Sequence, residues 1–283
     1  MEKLYRLVQA EGFCFSALGV RIGVRTNTPG LLDRIRTHLP PAWHLEQSST
    51  VERLYCFVKS RTEAGAGVRR FHLLYSNAQN IARTLSEEEL LEAFESHLNL
   101  YIGQVARRRI VVHAGVVGWK GRAIIIPGNS YSGKTTLVKE FLGQGATYYS
   151  DEFAVIDKRG FVYPFAKPLA MREETTQRQI KVNAEQLGGS TGLEPLPVGL
   201  VLFTRYCHSA SWHPRTISQG EGVIRLLANS LAAREQPDRA LTFLEKAVQR
   251  AQILRGARGE ARHVVQIILA RNCVDAPCNW LGE

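Results

Sequence analysis

Apolar and polar positions alternate in two short segments near the start, Phe13-Cys14-Phe15 and Val20-Arg21-Ile22-Gly23-Val24, and this period of two predicts strands. Leu31 to Leu39 reads as a short helix that stops before Pro40-Pro41. Two further strands are predicted at Leu54 to Lys59 and Phe71 to Tyr75, with the polar, glycine-containing stretch Arg61 to Gly67 as a hairpin loop between them. Ser86-Glu87-Glu88-Glu89 then has the capping-box pattern, and Leu90, Phe94, Leu98, Ile102 and Val105 recur at helical spacing behind it. That helix is the best specified in the chain, and it runs to the dense basic run Arg107-Arg108-Arg109.

From Ile110 the pattern changes to continuous apolar runs of the kind buried strands carry. Ile110 to Val117, a turn at Trp119-Lys120-Gly121 and Ala123-Ile124-Ile125-Ile126 follow one another. The change places a boundary between an N-terminal α+β domain, residues 1–107, and a second domain, residues 108–283. Thr135 to Leu142 reads as a helix stopped by Gly143 and Gly145, and Thr147 to Ser150 as the next strand. A hairpin is expected from Ala154 to Phe165 around Lys158-Arg159-Gly160, then a Gly/Pro-rich connector at Gly188 to Pro197 and a buried strand at Val198 to Phe203. Helices at Ile217 to Ala233 and Asp238 to Leu254 and a last strand at Val264 to Leu269 complete the reading.

The hydrophobic share of 45% and charged share of 22% in 283 residues allow a full core and exclude wholesale disorder. No signal-peptide pattern leads the chain and no apolar run spans a bilayer, so a cytoplasmic protein with no membrane partner is expected. Cys14, Cys56, Cys207, Cys273 and Cys278 are scattered without Cys-x-x-Cys spacing, which argues for free, mostly buried thiols rather than a disulfide frame or zinc site. The net charge of +10 would suit nucleic acid, but the basic residues are spread rather than gathered, so an anionic small molecule fits the charge as well. The Arg107 to Arg109 run reads equally as a solvated helix end or as a partner patch.

The strongest chemical signal is Gly128-Asn129-Ser130-Tyr131-Ser132-Gly133-Lys134-Thr135, the full spacing of a phosphate-binding loop, set between an apolar strand and an apolar helix. Gly128 and Gly133 let the backbone bend so that successive N–H groups face phosphate oxygens, Lys134 reaches the outer phosphates, and Thr135 would ligate Mg2+. The cofactor set is therefore ATP with magnesium, held by Gly128, Asn129, Ser130, Tyr131, Ser132, Gly133, Lys134, Thr135 and Thr136. Asp151-Glu152, at the end of the next strand, stands where magnesium and an attacking hydroxyl would meet carboxylates; as a bare pattern it is also an ordinary acidic turn. His113, in an apolar strand, reads first as a satisfied core residue.

His113-Ala114-Gly115-Val116-Val117, the glycine-containing hairpin, Gly128 to Thr135 and Tyr149-Ser150-Asp151-Glu152 together resemble the catalytic domain of the HPr kinase/phosphorylase family and its HPr-kinase-like relatives. The resemblance spans roughly Ile110 to Arg172. It implies an α/β P-loop kinase domain of phosphoenolpyruvate-carboxykinase-like type and transfer of the ATP γ-phosphoryl group to a serine hydroxyl. By the same resemblance Lys134 and Thr135 are the phosphate and magnesium contacts, Asp151 the catalytic base or a metal ligand, Glu152 a metal ligand, and His113 an active-site neighbour. It also implies self-association, and a serine acceptor in a protein or peptide. The family's paired aspartates are Asp151-Glu152 here, and its second glycine-rich signature is absent, with Lys167 to Arg172 in its place; phosphorylase activity and HPr as acceptor are therefore not implied. A nucleotide-dependent switch or scaffold, and a kinase of small hydroxyl compounds, are the competing readings.

Overall fold

A computed structural model describes residues 11–48, 50–59, 71–129, 132–172, 179–271 and 273–274. The chain forms two compact units, Met1–Arg107 and Arg108–Glu283. Both mix helices with sheets.

The first unit is a six-stranded sheet in the order β3-β1-β2-β4-β5-β6, built from β1 (Glu11–Ala17), β2 (Val20–Thr26), β3 (His44–Glu46), β4 (Arg53–Val58), β5 (His72–Ser76) and β6 (Gln79–Thr84). Helices α1 (Leu31–Thr37) and α2 (Glu87–Val105) pack on it through one cluster in which Phe15, Ile22, Tyr55, Phe57 and Leu74 meet Leu31, Ile35, Leu90, Phe94, Leu98 and Ile102. The helical spacing of α2 thus delivers its apolar stripe to the sheet. The capping box is only half formed: Ser86 Oγ accepts the Glu89 amide at 3.3 Å, but the Glu89 carboxylate bonds Thr84 instead of the Ser86 N–H. Strands β3 and β6 were not predicted; His44–Glu46 is short, and Gln79–Thr84 is too polar to carry an alternation signal. The hairpin loop expected at Arg61 to Gly67 lies outside the described residues.

The second unit holds a nine-stranded sheet and helices on both its faces. Its strands are β7 (Arg109–Trp119), β8 (Arg122–Pro127), β9 (Thr147–Ser150), β10 (Phe153–Asp157), β11 (Phe161–Tyr163), β12 (Leu169–Arg172), β13 (Gln179–Val182), β14 (Ser190–Thr191), β15 (Leu196–Tyr206), β16 (Arg215–Thr216) and β17 (Gln252–Arg258). β12 and β13 pair only with each other; the rest run β14-β9-β7-β10-β11-β15-β17-β16, with β8 between β7 and β15. β7 and β8 form a hairpin whose turn has Lys120 at φ 47° and Gly121 at φ 75°, the pair of left-handed residues that matches strand twist. Arg109 belongs to β7 rather than to a helix end, and its guanidinium lies 3.6 Å from the Tyr163 ring centroid.

Successive residues of β8 enter opposite cores. Ala123 and Ile125 join Val223, Leu226, Phe243 and Leu244 of helices α4 (Gln219–Leu227) and α5 (Pro237–Val248). Ile124 and Ile126 join Leu137, Val138, Phe141, Val264, Val265 and Ile268 of helices α3 (Lys134–Gly143) and α6 (Ala261–Ala270). A strand buried on both faces must read as a continuous apolar run, and Ala123 to Ile126 does.

Two expectations fail at the C-terminal end. Val264 to Leu269 lies in helix α6, not in a strand: its β-branched residues suggested a strand, but Ala261, Val264, Val265 and Ile268 are the buried positions, which is helical spacing. The helix expected to reach Leu254 ends at Val248, and Gln252–Arg258 is strand β17. The connector Gly188 to Pro197 contains the short strand β14 and the start of β15.

Candidate functional site

β7 is antiparallel to both β8 and β9, so the carboxyl ends of β8 and β9 emerge at the same edge of the sheet. The Gly128 amide donates to the His113 carbonyl at 3.2 Å, and the Ala114 amide donates to the Glu152 carbonyl at 3.0 Å. Two neighbouring residues of β7 therefore hold the start of the loop and the acidic pair side by side. The Ser150 hydroxyl, buried, accepts the Glu152 amide at 3.1 Å and the Phe153 amide at 2.9 Å, which turns the chain sharply and sets Asp151 and Glu152 at the edge.

The loop geometry accounts for its glycines. A methyl group on Gly128 would lie 2.6 Å from Ser132 Oγ, and Gly133 has φ 84°, a left-handed conformation that a side chain resists. Gly115 on β7 is needed for packing: a Cβ there would meet Val138 Cγ2 at 2.8 Å and hold α3 away from the sheet. Helix α3 opens at Lys134, so the first amides of its N-terminal turn and the positive end of its dipole face the loop. Ser130, Tyr131 and the side chain of Arg172 lie outside the described residues. Asn129 and Thr136 are exposed, while Ser132, Gly133 and Thr135 are partly buried at the loop and the first helical turn.

Lys134 is 7% exposed, and its ammonium donates to the Gly128 carbonyl at 2.8 Å and the Asn129 carbonyl at 2.7 Å. It is held against the loop backbone with a third proton still to give. Burial lowers its pKa, and the charges of Asp151 and Glu152 oppose that drift.

Asp151 accepts the Tyr148 hydroxyl on Oδ1 at 3.2 Å and the Ala170 amide on Oδ2 at 3.2 Å. Burial pushes its pKa above the ordinary carboxylate value, against the pull of these bonds and of Lys134. Tyr148, itself buried, also donates to the Lys167 carbonyl at 2.7 Å, so one hydroxyl is shared between the carboxylate and the chain that leads into β12. Lys167 contributes its carbonyl here, and its ammonium lies 5.7 Å from the Phe165 ring centroid. His113 is partly buried beside Phe153, ring centroids 5.9 Å apart, and its amide donates to the Asn229 carbonyl at 2.8 Å. Burial first, and Lys134 second, bring its imidazole pKa down to about 4, so it is neutral at pH 7.

No group of three or more His, Cys, Asp or Glu capable of caging a metal exists among the described residues. Magnesium carried in with a nucleotide needs only a hydroxyl and one or two carboxylates beside phosphates and water. Thr135, Asp151 and Glu152 are the oxygen donors near this edge that could hold such an ion. Among the described residues no helix is long and apolar enough to cross a membrane. Cys14, Cys56, Cys207 and Cys273 are free thiols, of which Cys56 and Cys273 are buried.

Two residues at this edge escaped the sequence reading. In the sequence Tyr148 is one more residue of the strand Thr147 to Ser150, and Arg258 lies just beyond the helix expected to reach Leu254. The only sequence signal for Arg258 is a strand ending in Arg258-Gly259-Glu260 just before a helix, the same strand-to-helix passage that brackets the loop.

No family model matches this sequence, and no curated protein matches it. Among solved structures, the HPr(Ser) kinase/phosphatase from Coxiella burnetii is similar at a TM-score of 0.30 and 12% identity, over 57% of this chain and 94% of that one.

Proposed function

We propose that this chain is a phosphotransferase that binds ATP with magnesium and passes the γ-phosphoryl group to a hydroxyl, a serine of a protein or peptide. The supporting observation is the pairing of Gly128 and Glu152 with adjacent residues of β7, which puts the first residue of the glycine loop and Asp151-Glu152 at one sheet edge. A site that only binds nucleotide needs no base at Asp151.

In this reading the loop amides, the α3 terminus and Lys134 receive the phosphates. Lys134 arrives already bonded to two loop carbonyls, so little reorganisation is needed when the phosphates bind. Thr135 and Glu152 would hold magnesium, which when bound would supply charge neutralisation for the phosphates. Asp151 accepts the proton of the acceptor hydroxyl as its oxygen bonds to the γ-phosphorus and the bridging P–O bond to ADP breaks. The raised pKa of Asp151 makes it a stronger base than an ordinary carboxylate once ionised. His113, neutral with its pKa near 4, serves as a wall beside Lys134.

The test is transfer of labelled γ-phosphate from ATP to proteins and peptides of the same source, with the modified residue located by mass spectrometry. A labelled serine is the expected outcome. Nucleotide binding without label in any protein, peptide or small hydroxyl compound would replace the kinase with a nucleotide-dependent switch.

A further inference from the structure

β17 runs parallel to β15, and β15 runs parallel to β8, so the last residue of β17 reaches the same edge as the phosphate loop. That residue is Arg258. It is 2% exposed, and its guanidinium donates from Nη2 to the Gly133 carbonyl at 3.1 Å and from Nη1 to the Gly259 carbonyl at 3.0 Å. Nε is buried with no hydrogen-bond partner among the described residues. The Tyr206 ring centroid lies 5.5 Å from the guanidinium carbon, on the neighbouring strand.

Burying a guanidinium is costly unless an anion compensates it. Arg258 has two carbonyl oxygens and an aromatic face, with Glu260 as the opposing charge, and burial still pulls its pKa down. Nothing about holding one carbonyl calls for a cation, since a neutral amide donor would do the same. The Gly133 carbonyl also accepts the Leu137 amide at 3.2 Å, so it begins the hydrogen-bond ladder of α3. The cation is therefore attached to the hinge between loop and helix. A Cβ on Gly133 would collide with this guanidinium, so the loop glycine and the arginine fit each other.

We propose that Arg258 is a positioning residue of the phosphate site: bonded to the Gly133 carbonyl, its buried guanidinium holds the loop in its anion-accepting shape and favours a nucleoside triphosphate over a diphosphate. Bound phosphates add to the opposing charge of Glu260. The proposal rests on reading Gly128 to Thr135 as a nucleotide site.

The experiment compares the full chain with R258Q and R258K, measuring Mg-ATP, Mg-ADP and AMP affinity by calorimetry and folding by circular dichroism melts. R258Q is expected to lose about tenfold in Mg-ATP affinity, less for Mg-ADP and nothing for AMP, narrowing the preference for triphosphate. R258K keeps the charge but loses the two-carbonyl fork, so its loss is smaller and graded in the same order. Equal losses for all three nucleotides, or none, in whichever variant folds would overturn the proposal. Unfolding of both variants would assign Arg258 to the scaffold and overturn it as well. A parent chain that binds no nucleotide sinks the reading of the loop itself, an outcome visible before either variant is measured.

Discussion

The His113 carbonyl holds the Gly128 amide at 3.2 Å, so the strand residue that walls the site also anchors the first residue of its loop. The bond uses backbone atoms only. Substitutions of the His113 side chain therefore leave the anchor in place and probe the imidazole alone.

The imidazole has a pKa near 4 in the folded chain against an ordinary value of 6.5. The unfolded chain then binds more protons between those values, and the folded state loses stability as pH falls through that window. H113Q removes the group that titrates. Its melting midpoint should fall less than the parent's between pH 6.5 and pH 4, by up to about 3 kcal/mol in stability. Parallel pH profiles for the two chains would show that His113 is not held neutral by burial.

Lys134 is the fixed ammonium of the loop among the described residues. K134A should weaken Mg-ATP binding by at least about tenfold and abolish transfer, because a charge-assisted contact to the outer phosphates is lost. Calorimetry and single-turnover transfer measure the two effects separately. Turnover at the parent rate would remove the loop from the mechanism.

Asp151 and Glu152 should separate under a magnesium titration. D151N keeps the size and one of the two acceptor oxygens that Tyr148 and Ala170 use, so Mg-ATP still binds while transfer falls by about 10²–10⁴, the usual worth of a positioned base. E152Q should instead need more magnesium. Rescue of D151N by excess magnesium would make Asp151 a metal ligand.

The same variant has a stability signature. Because burial raises the Asp151 pKa, the folded state holds its proton at a pH where the unfolded state has released it, and stability falls as pH rises through that interval. Relative to the parent, D151N should therefore melt higher at pH 8 than at pH 4. An unchanged difference between the two pH values would argue against a desolvated carboxyl.

The two compact units suggest a division of labour. A chain beginning at Arg108 is expected to retain magnesium-dependent nucleotide binding and to lose recognition of the acceptor. Undiminished acceptor affinity in the shortened chain would place recognition within residues 108–283.

Much of the site edge was legible because its signals are local. Ala123 to Ile126 is apolar on both faces, Gly128 and Gly133 punctuate the loop, and Leu137, Val138 and Phe141 repeat at helical spacing. Asp151-Glu152 could be placed because a short strand and a turn leave few choices for where the chain goes. Arg258 could not, since its meaning depends on β17 pairing beside β15, a contact between distant parts of the chain. Val264 to Leu269 was misread because β-branched composition outweighed a helical period that only the packing of α6 against α3 makes decisive.

The sheet order also sets a sequence of events in time. β7 to β11 lie within Arg109 to Tyr163 and pair mostly with near neighbours, whereas β15 and β17 must cross long loops of chain before they find β8 and each other. Loop-closure entropy makes such parallel pairings late. The acidic turn and the first glycine should thus be in place while the arginine side is still open, and pulse-labelled amide exchange should protect Val116 and Ile124 before Ile253. Until β17 docks, a refolding or nascent chain would carry the half-built nucleotide pocket without its last cation.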